Sequence, residues 1–323
     1  MGGTTPRSSF ALRQFALDNV ASIFEDTDND VIVNGDLFDG YSAPLSDVLA
    51  VYNTITKWLE RGKRLFLLPG NHDLSGDSSK LSSFEFLAQL LLPLKGVSYL
   101  RGGGWIDEAD GVYGISHVPN QDLFDLELSR VPPCKYLLLH CNWDNGFARE
   151  MDHSLNLCAK VAEDLPAENI ILAHEHNSGS HMNGRVEMTG NPFPTSIADC
   201  LAKNSKHVVT IGDAGKTYRK TWDKRNYVEV GWKDVTGIDA QFIRVTGTAS
   251  AEEAAQAVDV VARLRRGSEA FVVGSAVKTL ADDSLIDMTD ILSSVESVKA
   301  FDVMAEIKSR LSVEQIAVID KLK

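Results

Sequence analysis

"LFLLPGNHDLSGDSSKL", residues 65–81, decides how the rest of the chain is read. Four apolar residues run into Pro69 and Gly70, and then directly into Asn71, His72 and Asp73. A short apolar run closed by Pro-Gly reads as a buried strand. Such a strand has no packing use for an amide, an imidazole and a carboxylate side by side at its end. The triplet therefore points to chemistry at a strand terminus.

The arrangement recurs outward from that stretch. "DVIVNGD" at 30–36 is a β-branched run that stops at Gly35-Asp36, with Asp39 close behind. "KYLLLHCNWD" at 135–144 is apolar until His140, and "NIILAHEH" at 169–176 until His174 and His176. "GVYGIS" at 111–116 is a further strand. Helical patterns lie between them. Leu12, Ala16, Val20 and Ile23 share one helical face, Leu45 to Leu59 precedes Gly62, and "SSFEFLAQLLLPL" at 82–94 ends at its proline. Strands apolar throughout belong to sheets covered on both faces, so the fold class is layered α/β. In open α/β sheets ligands collect beyond the carboxyl ends of strands. One polar strand end would be ordinary, but four drawn from Asp, Asn and His mark a metal site.

Composition narrows the classes. A chain of 323 residues, 44% hydrophobic and 24% charged, is large enough for one big core and a smaller domain. No apolar run approaches the ~20 residues of a membrane span, and "MGGTTPRSSF" has no apolar signal core. A cytoplasmic location is expected, with no membrane partner. Cys134, Cys141, Cys158 and Cys200 form no C-x-x-C pair and read as reduced thiols. The net charge of −13 argues against a protein that coats nucleic acid nonspecifically. An enzyme that grips phosphate through bound cations is compatible with it.

GDLFD at 35–39, GNHD at 70–73, the strand-terminal His140 and AHEH at 173–176 resemble the calcineurin-like metallophosphoesterases, whose pattern is D-x-H, G-D-x-x-D, G-N-H-[DE], H and G-H-x-H. Four of the five blocks stand in order, with Ala173 in place of the usual glycine. The resemblance implies a metallophosphoesterase β-sandwich flanked by helices. It implies two divalent ions, manganese before iron or zinc, since mixed N/O ligation suits those metals. Asp36 would bridge them, Asn71, His140 and His174 would complete one ion, and His176 would reach the other. Two metals about 3.5–4 Å apart can activate water and polarise a phosphoryl oxygen together. His72 would protonate or stabilise the leaving oxygen, Asp73 would orient His72, and Asp39 would stand behind the ligands.

The substrate class rests on further segments. The stretch after GNHD and "TGNPFPTSIADC" at 189–200 are similar to SbcD-type DNA repair nucleases, with Asn191 for serine and Ile197 for phenylalanine. Residues 240–277 read strand, helix, strand, with Ser250 and Glu253 as a capping box, a stripe of Ala254, Val258, Val261 and Leu264, and Gly267 as closure. The expected organisation is a nuclease domain at 1–215, a small α/β capping domain at 216–285 and a helical tail at 286–323. That tail, with Ser312 and Gln315 as a second capping box, either docks on an SbcC-type coiled-coil ATPase or packs on its own cap. The expected function is a metal-dependent DNA nuclease subunit of recombination and repair. It would be compact like phage-encoded subunits, with DNA and the ATPase as partners and a homodimer possible in this class. The alternatives are a stand-alone metallophosphoesterase on a small phosphoester or phosphoprotein, and an inactive scaffold of the same fold.

Other residues read more plainly. His117 is a loop histidine or a substrate contact, His153, His181 and His207 are surface or packing residues, and "RGGGW" at 101–105 is a turn. Lys216, Arg219, Lys220, Lys224 and Arg225, interleaved with Tyr218 and Trp222, form either a nucleic-acid track or a solvated hairpin. The family's D-x-H is missing, because only MGGTTPR precedes a helix starting near Ser8 or Ser9. The chain is thus expected to be an N-terminally shortened form, feeble alone, with a sheet edge left unpaired.

Overall fold

A computed structural model describes residues 6–77, 79–145, 154–201, 205–267 and 269–280. Two sheets carry the first two-thirds of the chain. The smaller is parallel, with β1 (Val31–Asn34), β2 (Leu65–Leu68) and β3 (Val97–Tyr99) in that order. The larger contains β4 (Gly103–Asp107), β5 (Val112–Ile115), β6 (Cys134–His140), β9 (Ala167–Ala173), β10 (Gly179–His181) and β11 (Val186–Met188). Its order is β10-β11-β9-β6-β5-β4, with β5, β6, β9 and β11 parallel and the two edge strands antiparallel. β7 (Asn142–Trp143) and β8 (Asn156–Leu157) form a short ribbon beside it.

The strands are apolar on both faces because each face meets a different layer. On β2, Leu65 and Leu67 point into a core with Val48, Val51, Ile55 and Trp58 of α2 (Leu45–Leu59), Phe84 and Leu87 of α3 (Ser83–Leu91), and Phe24 of α1 (Pro6–Glu25). Leu68 and Phe66 point the other way, into a core shared with Tyr136, Leu138 and Ile171 of the larger sheet. On β6 the alternate residues Leu137 and Leu139 join a third core, with Phe124 and Leu128 of α4 (Gln121–Leu128) and Ala162 of α5 (Ala159–Asp164). The layers are helices, sheet, sheet, helices, as the sandwich expectation requires.

The chain then makes a four-residue helix, α6 (Ile197–Cys200), and a hairpin of β12 (Lys206–Gly212) and β13 (Gly215–Trp222). A three-stranded parallel sheet follows, β14 (Tyr227–Gly231), β15 (Phe242–Ser250) and β16 (Val272–Leu280), covered by α7 (Ala254–Gly267). The expected Ser250/Glu253 capping box is present in both directions. The stripe on α7 is phased differently from the expectation. Ala257, Val260 and Val261 are buried and Leu264 packs beside them, whereas Val258 is 69% exposed. An alanine at 257 counted too little in the sequence pattern, although a small residue is what lets the helix sit close to the sheet.

The expected division at 215/216 falls at the start of β13, just past the tight turn of the β12–β13 hairpin. That hairpin leans on the larger sheet, with Tyr136 Oη donating to the Gly212 carbonyl at 3.0 Å and Ile211 packed between the sheets. Residues 101–105 are not a simple turn: β4 begins at Gly103. Side chains at Gly103 and Gly104 would collide with Glu127 and Leu100, at 2.6 and 2.7 Å, so the glycines admit neighbours to the strand. The helical tail expected at 286–323 lies outside the described residues, as does His153. No helix among the described residues is long and apolar enough to cross a membrane.

Candidate metal centre

The carboxyl ends of β1, β2, β6 and β9 meet at one rim, and the two sheets are tied together there. Nδ2 of Asn34, the last residue of β1, donates to the Leu139 carbonyl at 3.1 Å, and Asn34's own carbonyl faces Nδ1 of His140 at 3.0 Å. A carbonyl can only accept, so Nδ1 of His140 carries a proton and the lone pair of the neutral ring lies on Nε2. That ring is 2% exposed.

What Nε2 faces defines the site. Oδ1 of Asn71 lies 2.9 Å away and Oδ2 of Asp36 3.1 Å away. Nδ1 of His174 closes on the same Asn71 oxygen at 3.0 Å. Ligand atoms of Asp36, His140 and His174 all lie within 4.8 Å of one another. Lone pairs crowded this closely repel unless a positive charge is shared among them. A proton can serve: burial alone would lower His140, but the Asp36 hydrogen bond and charge outweigh it and raise its pKa. Asp36 responds in the opposite sense. Burial would raise it, but His140 holds it below the usual carboxylate range. A divalent cation fits the same set better, because two imidazoles, an amide oxygen and a carboxylate are a mixed N/O donor group.

The backbone is bent to bring these atoms together. Asp36 and His174 both sit at positive φ, 53° and 94°, a costly conformation for residues with a Cβ and one that clusters at functional sites. Gly35, at φ 88°, passes against the His140 ring, where a Cβ would lie 2.1 Å from Nδ1. At Gly70 a Cβ would lie 2.2 Å from Oδ1 of Asp36.

Two expected roles change. Asp73 does not orient His72. It is fully buried and accepts from the backbone N–H groups of Gly70 (3.0 Å), Phe38 (3.2 Å) and Leu37 (3.3 Å), clamping the loop after β1 to the loop after β2. Nδ1 of the exposed His72 instead meets the main-chain carbonyl of Asp39 at 2.9 Å, and the His72 N–H donates to Asp36 at 3.0 Å. Asp39 thus supports the site through its backbone, with its side chain exposed. The Asp73 carboxylate is turned toward three main-chain amides, while the His72 ring turns to the Asp39 carbonyl.

His176 stands apart from the tight set. Its side chain is 55% exposed, and Nδ1 lies 2.7 Å from Oδ1 of Asp199, a residue the sequence reading passed over. The Asp199 hydrogen bond raises the His176 pKa, and the charge of Asp36 adds to it. Among the described residues, Asp36, Asn71, His140 and His174 therefore crowd together, and His176 stands outside that set beside Asp199. β1 pairs with β2 on one side, and no strand among the described residues pairs with its other edge. The 323-residue chain contains no Asp-x-His.

His117 does lie beside the centre, its ring centroid 6.5 Å from that of His140 and perpendicular to it. Its main-chain N–H donates to the Pro69 carbonyl at 2.9 Å, and burial followed by the His140 charge pushes the side-chain pKa down to about 4, so the ring is neutral. His181 stacks on Trp143 and His207 packs edge-on to Tyr218. In the basic hairpin, Lys216 pairs with Glu187, Arg219 with Asp26, and Lys220 and Arg225 with Asp223. Acidic partners therefore occupy most of the cations that suggested a nucleic-acid track. All four cysteines are free, three of them buried.

Comparison with known proteins agrees with this geometry. The family model described as calcineurin-like phosphoesterase matches residues 13–178. The DNA double-strand break repair protein Mre11 of Methanosarcina mazei is 24% identical over 247 residues. That similarity covers 72% of this chain, which spans only 38% of the length of that relative.

Proposed function

The chain belongs to the calcineurin-like phosphoesterases, a family of metal-dependent hydrolases of phosphoester bonds, and on that premise we propose that it is a nuclease subunit cutting DNA phosphodiesters in recombination or repair. The observation that carries the proposal is the reach of the Mre11 similarity. It covers 72% of the chain, whereas the family match at 13–178 takes in about half, so the likeness extends beyond the shared phosphoesterase core. The protein would work with a coiled-coil ATPase of the SbcC type that supplies most of the DNA grip. This suits a chain of net charge −13 whose basic hairpin is already paired.

Asp36, Asn71, His140 and His174 would hold one divalent ion, manganese in this reading, and Asp36 with His176 would contribute to a second. Such ions polarise a phosphoryl oxygen and lower the pKa of water. The chain's own residues do the rest. The Asn34 carbonyl keeps His140 in the tautomer that offers Nε2. The Asp39 carbonyl accepts from Nδ1–H of His72, so Nε2 of that exposed ring would deliver a proton to the departing oxygen from the doubly protonated imidazolium. Asp73 fixes the spacing between His72 and Asp36 by tying their two loops together.

The test is cleavage of linear duplex DNA with manganese, with and without the cognate ATPase. Cleavage that depends on both is the expected result. Hydrolysis of a small phosphoester without DNA cleavage would favour the stand-alone phosphoesterase. Failure of both reactions, with complex formation intact, would favour the scaffold.

A further inference from the structure

The family match ends at residue 178, two residues after His176, yet the groups that hold His176 lie beyond it. Asp199 is 3% exposed and Lys206 4%. Oδ2 of Asp199 accepts from Thr195 N at 2.8 Å, Thr195 Oγ1 at 3.1 Å and Ser196 N at 2.9 Å. Those bonds complete a capping box, in which Ser196 Oγ accepts from Asp199 N at 3.3 Å. A capping box needs only one acceptor oxygen from its acidic residue. The second, Oδ1, is left for Nδ1 of His176 at 2.7 Å. The main chain of His176 is pinned as well, since its carbonyl accepts from Lys206 Nζ at 2.6 Å and from Asn191 N at 3.2 Å. An otherwise exposed ring is thus fixed at its backbone and at one nitrogen, by groups that are themselves buried.

We propose that Asp199 is a positioning residue, whose carboxylate keeps the proton of His176 on Nδ1 and so presents the Nε2 lone pair to the divalent ion shared with Asp36. This rests on the reading of His176 as a ligand. A carboxylate behind a ligating histidine fixes both its tautomer and its ring plane, and losing such a partner costs about 10–100-fold in metal affinity.

The informative variant is Asp199→Asn in the full chain. The amide keeps the shape and one oxygen for the capping box, but it turns an N–H toward Nδ1 of His176. The neutral ring should then carry its proton on Nε2, where it blocks ligation. Nitrogen-15 NMR of the metal-free protein at pH 8.5 should show wild-type His176 protonated on Nδ1 and the variant protonated on Nε2. Manganese titration by calorimetry should show the weaker of two sites losing about 10–100-fold, with the tighter one unchanged.

An unaltered tautomer, or an unaltered weaker site in the variant, overturns the proposal. If Asp199→Asn fails to fold, the wild-type spectrum still decides, because a wild-type His176 protonated on Nε2 is incompatible with it. His176→Ala separates the two readings. If it leaves both sites intact, His176 is not a ligand. If it weakens one site while Asp199→Asn does not, only the positioning role falls.

Discussion

A methyl group at position 35 would sit 2.1 Å from Nδ1 of His140 and 2.8 Å from Cα of Gly70, in a backbone conformation that L-residues avoid. Gly35→Ala is therefore expected to destabilise the protein by roughly 2–4 kcal/mol and to abolish tight manganese binding, measured by urea unfolding and calorimetry. Normal binding would mean the His140 ring has room to move. His72→Ala should behave in the opposite way. Its side chain lies outside the donor set, so metal affinity is expected to persist while cleavage falls by ~10²–10⁴. A variant that loses its metal instead would place His72 among the ligands. At this scale the sequence was legible wherever a residue type names its chemistry. Asn71, His140 and His174 were readable because amide and imidazole at strand ends are rare as packing. Asp199 was not, because an acid in "PTSIADC" reads equally well as a helix cap, and it is one.

Four short elements bring the site together, and Asp73 locks two of their loops. Burial, with the Asp36 charge beside it, pushes the Asp73 carboxyl up to about 6 even against the amides of Gly70 and Phe38. The folded-state value lies above that of the unfolded chain. The metal-free fold is therefore favoured by the bound proton at pH below about 4 and loses that contribution as pH rises through 6. Relative to an Asp73→Asn variant, wild-type stability in chelator should fall by about 2 kcal/mol between pH 4 and 7. Parallel pH profiles for the two proteins would contradict the assignment. Elements were legible through their period. Leu45–Leu59 is the helix its pattern indicates, and β2 and β6 alternate between two cores as apolar runs must. The strand at Gly103 was not legible, because that glycine answers to Glu127 and Tyr113 from other elements rather than to local preference.

On the scale of the whole molecule, the small cap is fastened to the body through aromatic rings. Phe242 is fully buried and meets Trp222 and Phe271 edge-on, and Phe15 of α1 lies 4.8 Å from Phe271 between ring centroids. Phe242→Ala should cost about 3–5 kcal/mol and expose the cap to limited proteolysis, while manganese binding at the tighter site of Asp36, Asn71, His140 and His174 persists. Loss of metal binding would show that the cap and the rim are one cooperative unit. The sequence indicated the cap's strand–helix–strand order but not this joint, since α1 looked like a helix with one apolar face. It has two: Leu17, Val20 and Phe24 serve the sheet, and Leu12 and Phe15 serve the cap.

That double duty has a consequence in time. Phe15 is synthesised 256 residues before Phe271, the ring it packs against. At 5–20 residues per second the ribosome takes roughly 10–50 s to deliver that partner. The sheet-facing half of α1 can bury itself as soon as β1 and β2 have emerged, but Leu12 and Phe15, which meet Phe193 as well, stay incompletely covered until the cap arrives. During synthesis the nascent phosphoesterase thus carries an incompletely covered apolar patch, the kind of surface that chaperones hold and that aggregation exploits.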